Sequence, residues 1–246
     1  MSAEAYLDAV EAGLAKLRAT QLPAVQAAAE ILVEAIIGGR KLFSFGATHS
    51  FILTEELVYR TGGLMLINPI YPHGMNLSVR PMPMTSQIER LEGMGRILLE
   101  GSPAGEGDVL LIASASGRNP IVIDMALAAR EKGMKVIGIV ALEYCQGSTS
   151  RHSSGKLLHE LCDLVLDECA PYGDAAVEVP GFPEKTGPLS TVLGCTVVNA
   201  LVCEVVSQLV SRGGTPPVYV SANLPGGDAH NAELLAANRD RIFYLH

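Results

Sequence analysis

The stretch Val109-Leu-Leu-Ile-Ala113 runs directly into Ser114-Ala-Ser-Gly-Arg118 and then into Asn119-Pro120. An uninterrupted apolar run predicts a strand that is buried on both faces of a sheet. The small polar residues after it predict a tight loop, and Asn followed by Pro is typical of a helix start. Gly133 predicts the end of that helix, and 135–140 predict the next strand. Strand, helix and strand in this order predict two neighbouring parallel strands.

The same alternation extends in both directions along the chain. The five predicted strands are Lys41 to Phe45, Leu64 to Ile67, Val109 to Ala113, Lys135 to Val140, and Leu164 to Leu166. We therefore expect an α/β fold with a doubly wound, five-stranded parallel sheet and helices on both faces. Ser86 and Glu89 form a capping-box pattern that predicts one helix as far as about Leu99. Residues 68–84 contain four prolines and predict a long loop.

Two amphipathic helices are predicted before the first strand. Tyr6, Val10, Leu14 and Leu17 recur at helical spacing, and Pro23 opens a second helix that ends at Gly38-Gly39. No composition break or linker divides the chain. We expect a single domain over 1–246, with a helical arm at 1–39 and an α/β core and C-terminal segment at 40–246.

The composition restricts the classes of partner. Hydrophobic residues make up 48% of the 246 residues and the formal net charge is −8, which favours a buried core and disfavours nucleic acid or an anionic membrane as a partner. The five cysteines form no CxxC pair and no signal peptide is visible, so a cytoplasmic protein with free thiols is predicted. The uncharged stretch from Thr186 to Cys203 approaches membrane-span length, but its polar residues favour a buried core helix.

Two loops rich in small hydroxyl residues follow predicted strands. They are Gly46-Ala-Thr48-His49-Ser50 and Ser114-Ala-Ser116-Gly117-Arg118-Asn119, which we call the first and second hydroxyl loops. In a doubly wound sheet ligands bind beyond the carboxyl ends of the strands, where hydroxyls and helix amides can hold an anion. Neither loop contains the glycine pattern of a dinucleotide site or the lysine of a P-loop. The alternative is that these residues are ordinary turn and cap residues.

The second hydroxyl loop carries a family resemblance. Ile112-Ala-Ser-Ala-Ser-Gly-Arg-Asn119 resembles the signature of the SIS (sugar isomerase) domain, and Phe45 to Ser50 followed by Glu55-Glu56-Leu57 resembles phosphoheptose isomerases. From Gly46 to Gly226-Gly-Asp-Ala-His-Asn231 the chain is similar to an uncharacterised bacterial branch of that family. The resemblance implies a flavodoxin-like sheet, a phosphorylated sugar as ligand and no cofactor. It also implies a homodimer or tetramer with an active site shared between subunits.

Three positions depart from the pattern of the family. Thr48 stands where that branch usually has Gly, and Ala115 where it usually has Asn. Lys185-Thr-Gly-Pro188 is similar to a Lys-His-Gly-Pro element of hexosamine-phosphate isomerases, but Thr186 cannot serve as the base that the His supplies there. The predicted phosphate- and sugar-binding residues are Gly46, Thr48, Ser50, Ser114, Ser116, Gly117, Arg118, Asn119 and Lys185.

An aldose–ketose isomerase needs a base for the proton next to the carbonyl and an acid–base group for ring opening. The resemblance and the helical spacing from His49 both favour Glu56 as the base, with Glu55 about 100° away around the helix. His49, His152 and His230 are the candidates for ring opening. His159-x-x-Cys162 lacks the paired spacing of a zinc site, so no metal is predicted.

Three functions remain open from the sequence. The first is a phosphosugar isomerase that works through an enediol without a redox cofactor. The second is a non-catalytic phosphosugar sensor, which needs the hydroxyl loops but no catalytic carboxylate. The third is a sugar-phosphate lyase or etherase. A homodimer or dimer of dimers is also expected, because the predicted helix from Leu189 to about Val210 is apolar around most of its circumference.

Overall fold

The computed structural model of the protein describes residues 1–245. The helices are α1 (Ser2–Thr20), α2 (Leu22–Ile37), α3 (Phe51–Leu57), α4 (Met84–Ile88), α5 (Met94–Glu100), α6 (Pro120–Glu131), α7 (Leu142–Gln146), α8 (Ser190–Ser211) and α9 (Gly227–Ala237). The strands are β1 (Leu42–Gly46), β2 (Ile67–Pro69), β3 (Val109–Ala113), β4 (Lys135–Val140), β5 (Leu164–Asp167), β6 (Ala175–Val177) and β7 (Thr186–Pro188).

The main sheet has five parallel strands in the order β2-β1-β3-β4-β5. This is the flavodoxin-like order, in which the chain reverses its direction of travel across the sheet between β1 and β3. The predicted fold class is confirmed, including both N-terminal helices. A separate antiparallel hairpin, β6 with β7, was not predicted.

Alternate residues of each strand pack against different helices. In β3, Val109 and Leu111 contact the cluster that contains α1, α2, α3 and α8, whereas Leu110 and Ile112 contact the cluster that contains α5 and α6. All five β3 residues are buried, which explains why its sequence shows no polar alternation.

Helix α8 is long and apolar enough to cross a membrane by length and composition. In this fold it packs against α1, α2 and α3, and eight of its residues are buried. The predicted core helix is observed from Ser190, but Thr186–Pro188, which were expected to belong to it, form β7. The apolar surface of α8 had suggested contact with a second copy of the chain, but α1, α2 and α3 cover much of that surface. The homodimer or tetramer therefore stays a prediction.

The single helix expected from Ser86 to about Leu99 is wrong. The chain forms α4 and α5 with a break at Glu89–Gly93. Gly93 adopts φ +88°, a left-handed conformation that interrupts a helix, and its N–H donates to the Asp124 carboxylate of α6. The capping-box pattern was misleading because α4 begins at Met84 with Pro83 as its N-cap, and Glu89 is its C-cap residue.

Two boundaries also differ from the predicted ones. Helix α3 ends at Leu57 and not near Arg60, because Val58 is extended and Tyr59 takes a positive φ. The strand expected at Leu64 to Ile67 is displaced to Ile67–Pro69, while Leu64 pairs in an isolated bridge with Val218 near the C-terminus.

A buried carboxyl group follows β5. Glu168 is 2% exposed, its Oε1 atom has no hydrogen-bond partner among the described residues, and Gly194 of α8 leaves the space that its Oε2 atom occupies. Burial, followed by the charges of Asp174 and Asp167, raises the pKa of Glu168 well above its usual 4.5. The folded protein therefore retains this proton at a pH where the unfolded chain has lost it.

Replacement of Glu168 by Gln should change the pH dependence of stability. The contribution of the bound proton is complete below pH 4.5 and is lost as the pH rises toward the folded pKa. The unfolding free energy of the wild type should decrease relative to that of Glu168→Gln by roughly 1.4 kcal/mol per pH unit in that window. Denaturant unfolding at pH 5–8 measures this, with the exposed Glu184→Gln as a control. Parallel curves for wild type and Glu168→Gln would contradict it.

Candidate functional site

A pocket opens at the carboxyl ends of β1 and β3, where the two hydroxyl loops meet. Six of the predicted site residues line it: Thr48, His49, Ser50, Ser114, Ser116 and Asn119. The register pairs Phe45 with Ile112 and Gly46 with Ala113, so both loops leave the sheet side by side. The hydroxyls of Thr48, Ser50 and Ser116 form no hydrogen bond with other residues of the described chain, which leaves them available to a ligand.

The first hydroxyl loop turns sharply at the end of β1. A Cβ atom on Gly46 would lie 2.3 Å from the Ser50 carbonyl oxygen, so only glycine permits this return of the backbone. Thr48 adopts φ +54°, in the left-handed region that favours glycine. Its N–H donates to the Met75 carbonyl at 2.9 Å. The proline-rich loop therefore supports the first hydroxyl loop from below.

The second hydroxyl loop is a turn that closes on itself. The Gly117 N–H lies 3.2 Å from both the carbonyl and the hydroxyl oxygen of Ser114. Gly117 has φ +59°, and a Cβ there would lie 3.0 Å from the Cys145 sulfur. Gly117 is thus needed for the turn and for packing, and it lies outside the lining of the pocket.

Helix α6 begins at the floor of the second loop. Pro120 takes the first helical position, as predicted, and the N-terminal amides of this twelve-residue helix favour an anion at its start. Asn119 is the N-cap residue, but its side chain makes no capping bond. Its Oδ1 atom instead accepts a hydrogen bond from Arg151 at 2.8 Å. Asn119 therefore links the pocket to the loop that follows α7.

Glu89 is a lining residue that sequence reasoning missed. The break between α4 and α5 directs it to the pocket, beside Asn119. Burial raises the pKa of Glu89 above its usual 4.5, and the Asn119 amide and the charges of Arg90 and Arg151 oppose that rise. A half-buried carboxylate that faces a pocket can serve as a general base toward a bound ligand. Gly93, four residues later, was the available signal that the predicted helix breaks here.

Asp174 and Ser190 also line the pocket and were not predicted. The Asp174 carboxylate accepts hydrogen bonds from the N–H groups of Leu189 and Ser190 and from the Ser190 hydroxyl, at 2.7–3.0 Å. These contacts cap the start of α8 and hold it against the second loop. No local pattern reveals them, because Asp174 lies 16 residues before Ser190.

Glu56 does not lie in this pocket. Helix α3 packs against α8, and Glu56 accepts a hydrogen bond from Asn199 at 2.7 Å and forms an ion pair with Arg60. The helical spacing from His49 was misleading because Thr48–Ser50 forms a 3₁₀ turn before α3 begins. The expectation that Glu56 shares a face with the first hydroxyl loop is therefore wrong within one chain.

The other predicted residues lie outside the lining of this pocket. His152 bonds to Asp124 through Nε2 at 3.1 Å and to Ser154 through Nδ1 at 2.8 Å, so it fastens its loop to α6. His230 is exposed on α9. Arg118 donates to the Thr149 carbonyl at 2.9 Å, and the exposed Lys185 pairs with Glu178 at 3.2 Å.

Comparisons with known sequences agree with this architecture. The family model of the SIS domain matches residues 5–141, more than half of the chain. A UPF0309 protein of Shouchella clausii is 47% identical over 89% of this chain and 89% of its own length. A UPF0309 protein of Oceanobacillus iheyensis is 42% identical over 90% of each chain.

Solved structures show the same fold at lower sequence identity. A phosphoheptose isomerase from Neisseria gonorrhoeae is similar with a TM-score of 0.54 and 17% identity, covering 83% of this chain and 97% of its own. One from Francisella tularensis has a TM-score of 0.53 and 19% identity, covering 83% and 96%. The sequence match and the shared architecture lead to one conclusion: the chain belongs to the SIS domain family and to the group of UPF0309 proteins.

Proposed function

We propose that the pocket binds a phosphorylated sugar and that the protein interconverts its aldose and ketose forms. The observation that carries the proposal is the meeting of two hydroxyl loops, a helix N-terminus and the carboxylate of Glu89 in one pocket. The neutral hydroxyls of Ser50 and Ser116 and the start of α6 suit a phosphate group. The solved relatives named phosphoheptose isomerases share this fold.

Glu89 is the proposed base. Its carboxylate accepts the proton from the carbon next to the carbonyl, which gives an enediolate. A proton then passes from the neighbouring hydroxyl oxygen to the former carbonyl oxygen, and the Glu89 carboxyl returns its proton to the former carbonyl carbon. These steps move hydrogen within the sugar and leave its oxidation state unchanged overall, so no redox partner is needed. His49, a lining histidine on the first hydroxyl loop, is the proposed acid–base group for ring opening.

The Ser116 hydroxyl should contribute to phosphate binding. A hydrogen bond to a charged group stabilises by about 1.5–3 kcal/mol, so Ser116→Ala should weaken binding about ten- to a hundredfold. A thermal-shift screen of sugar phosphates identifies the ligand, since a concentration of 100 times Kd stabilises the fold by about 2.7 kcal/mol. Calorimetric titration then gives both affinities.

Ser207→Ala, on the exposed side of α8, is the matched control for that substitution and should bind as the wild type does. If Ser116→Ala lowers the melting temperature while the ligand affinity stays the same, Ser116 is structural. Phosphate binding would then have to be assigned to other residues.

Solvent exchange distinguishes the proposed base from the one expected from sequence. In deuterium oxide the wild type should incorporate deuterium at the carbon next to the carbonyl of the bound sugar phosphate. Glu89→Gln should lower this rate about 10²–10⁴-fold with little change in affinity, because it removes a general base. Glu56→Gln should exchange near the wild-type rate. The rate should also fall as the pH falls through the raised pKa of Glu89, because only the ionised carboxylate accepts a proton.

The opposite pattern, slow exchange in Glu56→Gln alone, would assign the base to Glu56 and refute the role of Glu89. A wild type that binds sugar phosphates tightly without exchange or turnover would refute the isomerase activity. A phosphosugar sensor would then be the better description, because a sensor needs the hydroxyl loops and no base.

A further inference from the structure

Three arginines lie next to Glu89 and Asn119, two lining residues of the pocket, and just outside the lining itself. Arg151 donates to the Asn119 side chain, which lines the pocket, and its backbone N–H donates to the Arg118 carbonyl at 2.9 Å. Arg90 directly follows Glu89 in the chain. We call Arg90, Arg118 and Arg151 the arginine rim. It joins the loop after α4, the second hydroxyl loop and the loop after α7.

The arginine rim forms no direct ion pair within the described chain, although Glu89 lies close enough for its charge to act on Arg151. In residues 1–245 no carboxylate lies within 4.0 Å of these three side chains, although the protein carries a net charge of −8. Burial, followed by the positive charges of Arg118 and Arg90, lowers the pKa of Arg151. Like charges that repel one another in the free protein are stabilised when an anion binds among them.

The first phosphate does not require these arginines. In the proposed function the hydroxyls of Ser50 and Ser116 and the amides of α6 bind one dianion. A guanidinium fork is the side chain best suited to a planar carboxylate or to a second phosphate. Arg118 and Arg151 each use part of their donor set on Thr149 and Asn119, which holds the forks in place while other N–H groups stay available.

We infer that the natural ligand is a sugar phosphate with a second anionic group, a carboxylate or another phosphate, and that the arginine rim binds this group. The inference rests on the proposed function, since it takes the first phosphate to occupy the hydroxyl loops. If the arginine rim binds the second anionic group, the rim gives doubly anionic sugars a higher affinity than simple sugar monophosphates.

Calorimetric titration of three glucose derivatives tests the inference. The probes are glucose 6-phosphate, 6-phosphogluconate, which is the open-chain acid with a carboxylate at C1, and glucose 1,6-bisphosphate, which carries a second phosphate at C1. At a fixed low ionic strength, at least one doubly anionic probe should bind the wild type about tenfold more tightly than glucose 6-phosphate. The doubly anionic probe with the lower Kd shows whether the second group is a carboxylate or a phosphate. High salt should reduce the gain, because the rim is partly exposed.

Arg151→Gln and Arg90→Gln should each reduce that gain to about two- to threefold, and Arg151→Lys should preserve more of it than Arg151→Gln. Arg239→Gln, which removes the same charge from an exposed turn near the C-terminus, should leave the gain unchanged. Thermal melting of each variant verifies folding.

Two results would overturn the inference but not the proposed function. In the first, glucose 6-phosphate binds and neither doubly anionic probe binds more tightly. In the second, the gain in affinity persists in both Arg151→Gln and Arg90→Gln. Binding of none of the three probes also overturns the inference. The proposed function fails separately, only if the wider screen of sugar phosphates finds no ligand.

Discussion

The parallel pairing of β1 with β3 is the contact on which the site depends. Gly46 lies opposite Ala113 at the last pair of the ladder, so the two hydroxyl loops begin at the same level of the sheet. Side by side they present hydroxyls and the start of α6 to one volume, at the switch point where open α/β sheets bind ligands. A change of register would separate the loops.

Support for this pair of loops comes from segments that have little regular structure. Met75 of the proline-rich loop holds Thr48, whose left-handed conformation is unfavourable for a β-branched residue. Asp174 fastens the start of α8 beside the second hydroxyl loop. Contacts from the surrounding loops thus stabilise the unfavourable conformation of Thr48 and bind the free amide groups at the start of α8. Such support of a strained backbone is common at functional sites.

Carboxyl groups of this acidic protein occupy very different environments. Glu56 is engaged by Asn199 and Arg60, Glu168 is sealed between β5 and α8, and Glu89 faces the pocket with a raised pKa. The same side chain is therefore an interhelical contact, a neutral core group or a candidate base. Solvent access and neighbouring charge decide which, and residue type alone does not.

The sequence by itself determined the sheet, both N-terminal helices, the buried α8 and the two hydroxyl loops. These follow from local patterns: apolar runs at strand length, Asn-Pro at a helix start and small polar residues after strands. Six predicted site residues lie in one pocket for the same reason. Because adjacent parallel strands end at one edge, any loops that follow them are neighbours.

Only the tertiary structure decided which charged side chains reach the pocket. Glu89 lines the pocket after a break in the helix that local propensity favours, and within one chain Glu56 contacts Asn199 of α8 and lies outside the pocket lining. The arginine rim brings together residues that are 61 positions apart, from Arg90 to Arg151. Such contacts depend on how whole helices and loops pack, and a local sequence pattern carries no information about packing partners that are distant in the chain.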